Sequence, residues 1–160
     1  MERVIERRFS TVSLDELKAL TLKPEDTPNR PIVLVVDDEP IIADTLVTIL
    51  SAEGYVADAA YSAESALEIA RVVPPELLIS DVVMPGMNGV SLAVSIKETY
   101  PDCEVLLFSG QAGTNDIMTD ARKLGHDFTI LAKPVHPHDL LAEASRLLRL
   151  GTSNSILRQR

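Results

Sequence analysis

The sequence predicts an α/β protein: a doubly wound, five-stranded parallel sheet with five helices on both faces. Three observations lead there. Apolar runs such as Ile32–Val36 lack alternation, as expected of strands covered on both sides. Segments with apolar residues at helical spacing separate these runs. Polar residues stand where the runs stop: Asp37 and Asp38, Asp81, Ser109 and Lys133.

Taken in order, Ile32–Val36 is the first strand, ending at Asp37-Asp38-Glu39-Pro40. The first helix follows from Pro40 to Glu53, with Ile42, Leu46, Ile49 and Leu50 at helical spacing, proline in its first turn and Gly54 as its stop. Residues 55–60 form a short second strand, and Ser62 opens a second helix that Pro74-Pro75 ends. Leu77–Asp81 is the third strand. The stretch Met84-Pro85-Gly86-Met87-Asn88-Gly89 is a loop by turn chemistry, before a helix from Val90 to Tyr100. Val105–Phe108 is the fourth strand and Thr114–Leu124 the fourth helix, closed by Gly125. Phe128–Ala132 is the fifth strand, and Asp139–Leu150 the last helix.

The organisation is thus an N-terminal extension over 1–30, one domain over 31–150 and a C-terminal tail over 151–160 that is expected to fray. Within the extension, Leu14, Leu17 and Leu20 follow a Ser13 cap with Glu16 at the box position, and residues 23–30 read as a linker. Too little chain flanks the domain for a helix-turn-helix or a cyclase module, so output is expected through binding.

Charge is unevenly placed. Residues 1–30 balance six basic against six acidic side chains, 31–135 carry five against sixteen, and 136–160 carry four against two. An acidic domain repels a phosphate backbone, which argues against direct nucleic-acid binding. No run is long enough to span a membrane and no signal-peptide pattern opens the chain, so a cytoplasmic protein is expected. The single cysteine, Cys103, follows a polar turn and reads as a partly exposed structural thiol. His136 and His138 have no third ligand in view and read as solvated or capping residues.

In an open parallel sheet the strand ends share one edge, so Asp37, Asp38, Asp81, Ser109 and Lys133 converge there. Taken singly, each has an ordinary role: an aspartate after a strand caps a helix or closes a turn, and a lysine before proline is solvated. Together they describe something else. Three gathered carboxylates repel unless a hard cation takes their oxygens, and magnesium favours sites that a phosphate completes. Lysine and serine add groups able to stabilise a transferring phosphoryl group.

The strings Val-Val-Asp-Asp-Glu-Pro (35–40), Asp81 to Gly89, Ser109-Gly110 and Lys133-Pro134 closely resemble the receiver domain of two-component response regulators, over about residues 31–150. The resemblance implies a flavodoxin-like receiver fold. It also implies that Asp81 accepts a phosphoryl group from a sensor histidine kinase or a histidine phosphotransfer protein. Asp38, Asp81 and the Val83 carbonyl would ligate Mg2+, with Asp37 acting largely through water. Lys133 would pair with Asp81 and then with the phosphoryl group, and Ser109 would supply the hydroxyl that moves toward it. Gly110 leaves room for the donor, and Pro134 stands at the family's cis-proline position.

Two positions depart from the family pattern. Ile130 replaces the aromatic residue three before the lysine, so the usual aromatic switch is missing; both Phe128 and Ile130 read as packed sheet residues. Val83 replaces a polar residue that orients attacking water, which predicts a long-lived aspartyl phosphate; Gln111 is a candidate substitute. The implied function is a phosphoacceptor switch, not a classical enzyme. It would signal to an unknown downstream protein or pair with itself through the face of the fourth helix, fifth strand and fifth helix. Two rivals share these residues: a constitutive adaptor with a vestigial pocket, and a magnesium-dependent phosphohydrolase. The hydrolase lacks the second acid two residues after Asp81.

Overall fold

A computed structural model describes residues 30–110 and 114–158. The leucine-spaced segment, most of the linker and Gln111 lie outside the described residues. The elements run β1 (Ile32–Val36), α1 (Pro40–Ala52), β2 (Val56–Ala60), α2 (Ala63–Val72), β3 (Leu77–Asp81), α3 (Gly89–Thr99), β4 (Glu104–Ser109), α4 (Thr114–Lys123), β5 (Thr129–Ala132) and α5 (Pro137–Arg158). All strand pairs are parallel, in the order β2-β1-β3-β4-β5. The chain therefore winds outward in both directions from β1 and β3, and the switch point lies between them.

Each face of the sheet buries its own core. On one side Val33, Val35, Leu77, Ile79, Leu106 and Phe108 meet Ala43, Leu46 and Leu50 of α1 and Leu140, Ala144 and Leu147 of α5. On the other, Leu34, Val36, Leu78 and Leu107 pack against α2, α3 and α4 through residues such as Ala66, Ala70, Ile96 and Met118. Leu77, Leu78 and Ile79 are all fully buried, which explains why β3 shows no apolar–polar alternation.

The helix boundaries follow local chemistry. Pro40 opens α1, and Gly54, at φ +94°, follows its end. The Ser62 side chain accepts from the Ser65 N–H at 3.1 Å, and Asn88 caps α3 through the Ser91 N–H at 2.8 Å. His136 accepts from the His138 N–H through Nδ1 at 3.2 Å, which is the second of the two roles expected for it, solvated or capping.

Two expectations need correction. Helix α5 does not fray after Leu150 but continues to Arg158. Thr152 and Ser153 donate their hydroxyls to the Leu148 and Arg149 carbonyls, folding polar side chains back on the helix. Cys103 is buried, not partly exposed. The Tyr100–Cys103 turn, closed by the Cys103 N–H on the Tyr100 carbonyl at 3.0 Å, aims the side chain inward beneath β4. Burial pushes its thiol up to about 12, so it is an inert core group.

Candidate functional site

Strand register brings the site together. Val36 pairs with both Ala60 and Ser80, so the next residues along β1 and β3, Asp37 and Asp81, emerge side by side. Asp81 lies opposite Phe108, and Ser109 lies opposite Ala132, which places Ser109 one step and Lys133 two steps further out along the edge. Three backbone hydrogen bonds lock this edge. The Asp37 N–H donates to Ala60, Val82 to Phe108 and Lys133 to Ser109, at 3.0–3.1 Å.

Each carboxylate is used differently. Asp37 is fully buried. Its Oδ1 accepts from the Glu39 N–H at 2.9 Å, the turn role that an aspartate before a helix commonly takes. Its Oδ2 is buried with no hydrogen-bond partner, and the Lys133 Nζ stands 3.7 Å away. Asp38 is exposed. Asp81 is 7% exposed, with Oδ2 on the Lys133 Nζ at 2.9 Å and Oδ1 reached by the Val83 N–H at 3.4 Å.

Burial holds the Asp37 carboxyl above its ordinary range, an effect that the Asp81 and Asp38 charges reinforce and that the Glu39 N–H and Lys133 oppose. Burial also works against the charge on Lys133, but its hydrogen bond to Asp81 and the charges of Asp81, Asp37 and Glu39 outweigh that and raise its pKa.

Carboxylate oxygens of Asp37, Asp38 and Asp81 lie within 4.8 Å of one another, close enough to ligate one cation. The orphaned Asp37 Oδ2 is a buried acceptor that the protein alone leaves unsatisfied. A divalent cation fits this donor set, because it would satisfy that oxygen and screen the mutual repulsion.

The Lys133–Pro134 peptide bond is cis, as expected at that position. A Cβ on Gly110 would come within 3.3 Å of the Lys133 Cβ, so glycine lets the lysine stem run past the end of β4. Phe128 is buried and stacks on His126 at 5.5 Å, as a packed residue should. Ile130, expected to pack as well, is instead 37% exposed, because odd and even residues of β5 alternate between cover and solvent.

Three contributors escaped the sequence reading. The Phe108 ring lies under the Lys133 ammonium, 5.1 Å from centroid to Nζ. Gly89 packs so closely that a Cβ would collide with the Asp81 carbonyl oxygen; its own N–H donates to the Val82 carbonyl at 2.8 Å. Glu64 accepts from the Met87 N–H at 3.3 Å and ties the loop after Asp81 to α2. Phe108 was legible only through strand register. Gly89 was visible as a turn glycine, but nothing local revealed what it approaches.

A profile of the response regulator receiver domain matches residues 33–145. The chain belongs to this family, and its acidic cluster with Lys133 is the receiver active-site arrangement, consistent with phosphoryl acceptance on aspartate. Solved structures agree. A CheY-like receiver domain protein from Methanospirillum hungatei JF-1 superposes with TM-score 0.72 at 26% identity, covering 78% of this chain and 98% of that one. The signal receiver domain of an HD domain-containing protein from Pseudomonas fluorescens Pf-5 gives TM-score 0.72 at 28% identity, covering the same shares. Among curated proteins, the transcriptional regulatory protein AruR of Pseudomonas aeruginosa is 32% identical over 124 residues, covering 74% of this chain and 50% of that protein. The DNA-binding response regulator MtrA of Mycolicibacterium smegmatis is 28% identical over 120 residues, covering 75% of this chain and 51% of that protein. The chain thus spans about half the length of these two curated relatives. Among the described residues, no helix is long and apolar enough to cross a membrane.

Proposed function

We propose that Asp81 is the phosphoacceptor of a two-component switch, taking its phosphoryl group from the phosphohistidine of a sensor kinase or a histidine phosphotransfer protein. The observation that supports this best is the Asp81 carboxylate held 2.9 Å from Lys133, with the Asp37 and Asp38 oxygens within 4.8 Å. In the transfer, the P–N bond of the donor breaks as a P–O bond to Asp81 forms, and the imidazole keeps the electron pair. Lys133 neutralises Asp81 beforehand and then follows the charge onto the phosphoryl oxygens. Ser109, at the end of β4, offers its hydroxyl to the same group.

Mg2+ is the proposed cation, since hard oxygen donors and a shell that phosphate completes suit it. Asp38, Asp81 and the Val83 carbonyl would hold it and Asp37 would act largely through water. Once bound, it would draw negative charge off the transferring group.

Residues 31–150 are the proposed functional unit, working in the cytoplasm where kinase donors are found. Its phosphorylated state would be read by a protein partner or a second copy on the face of α4, β5 and α5, where Leu124, Ile130 and Leu150 are exposed.

The test is incubation with a small phosphodonor and Mg2+, read by intact mass. Wild type should gain one phosphoryl group, whereas Asp81→Asn or addition of a chelator should prevent it. An unmodified wild type would instead support a constitutive adaptor with a vestigial pocket.

A further inference from the structure

We propose that Phe108 is a positioning residue for the phosphoryl-transfer site, holding the Lys133 ammonium over Asp81 through the face of its ring. This rests on the Asp81 reading and adds a residue to it. The Phe108 side chain is 1% exposed and packs in the α1–α5 core, so its ring is fixed. Its backbone is fixed too, because its carbonyl accepts from Val82, the residue after the acceptor, and register sets it opposite Asp81. The ring is therefore tied to the same frame as the carboxylate that Lys133 must reach.

Lys133 needs such a guide. It has four rotatable side-chain bonds and sits after β5, in a segment whose neighbours Ala132 and Pro134 are exposed. Its ammonium meets the Asp81 Oδ2 at 2.9 Å, the Asp37 Oδ2 at 3.7 Å and the Phe108 ring at 5.1 Å. Both carboxylates would give up part of their hold when a cation and a phosphoryl group engage them. The ring would not. A cation–π contact in a partly desolvated setting then keeps the ammonium in place while its anionic partner changes. Gly110 flanks the lysine stem, so Phe108 and the end of β4 together form a slot for it.

The experiment replaces Phe108 with mono-, di- and trifluorinated phenylalanine, which drains the ring face of electron density at nearly constant volume, and adds Phe108→Leu. Proton NMR of the wild type should show the Lys133 ε-methylene shifted upfield by the ring, and Phe108→Leu should abolish that shift while Phe128→Leu leaves it. The phosphorylation rate with a small donor should fall stepwise along the fluorinated series, by about threefold to tenfold at its end, with unchanged thermal unfolding. An unshifted ε-methylene, or a flat rate series, overturns the role of Phe108. A wild type that takes no phosphoryl group defeats the Asp81 reading instead, and the NMR signature then decides the Phe108–Lys133 contact by itself.

Discussion

The two ends of the parallel sheet both carry carboxylates, and they use them differently. At the N-terminal end, Glu76, Asp102 and Glu104 are exposed or half-buried. Glu76 spends an oxygen on the Ile32 N–H at 2.8 Å, stitching β1 to the start of β3. At the C-terminal end, Asp37 is fully buried, keeps one oxygen unsatisfied and shares a single lysine with Asp81. Acidity alone therefore does not mark the site. What marks it is an acceptor capacity that the protein has buried and left open, an arrangement that costs stability unless a cation answers it.

The strongest way to break the comparison is at Gly89. A Cβ there would collide with the Asp81 carbonyl and come within 2.9 Å of the Ser80 Oγ. Gly89→Ala should lose about 3 kcal/mol in urea unfolding and displace the acceptor. Full stability would show that the edge has more slack than this geometry allows.

A change at Val83 leaves the fold intact and tests the chemistry. This side chain is 45% exposed beside Asp81 and cannot orient water. Val83→Asn should speed loss of phosphate from Asp81 by up to about tenfold, the value of one well-placed hydrogen bond. Equal decay of the two phosphoproteins would remove Val83 from the account.

The open acceptor itself predicts a pH dependence. Because burial raises the Asp37 pKa above its ordinary 3.8, the folded state holds that proton more tightly than the unfolded chain. Its contribution is therefore favourable in acid and is lost as pH rises from about 3.8 through the higher folded value. In chelator, Asp37→Asn should flatten this fall and stabilise the protein at neutral pH by about 1 kcal/mol. Mg2+ should stabilise wild type more than the variant. A wild type whose stability is insensitive to Mg2+ would contradict the cation reading.

The smallest effect belongs to the other end. Glu76→Gln keeps an oxygen for Ile32 and is exposed, so it should cost about 0.5 kcal/mol or less and leave Mg2+ binding unchanged. A clear loss of Mg2+ affinity would mean that the two ends are coupled.

The sequence by itself determined the order of elements, since unbroken apolar runs and helical spacing are local signals. It also determined which strand ends carry polar groups, because a residue's place after a run is read directly from the chain. Parallel pairing then made Asp37, Asp81, Ser109 and Lys133 neighbours without further information. Other features depended on contacts across the fold, which no local pattern encodes. Register put Phe108 beneath Lys133, and packing set Gly89 against the Asp81 carbonyl and turned Cys103 inward. Burial decided that one oxygen of Asp37 closes a turn while the other stays open. The tertiary structure settled these points because burial and orphaned hydrogen-bonding capacity are properties of the surroundings, not of the residue.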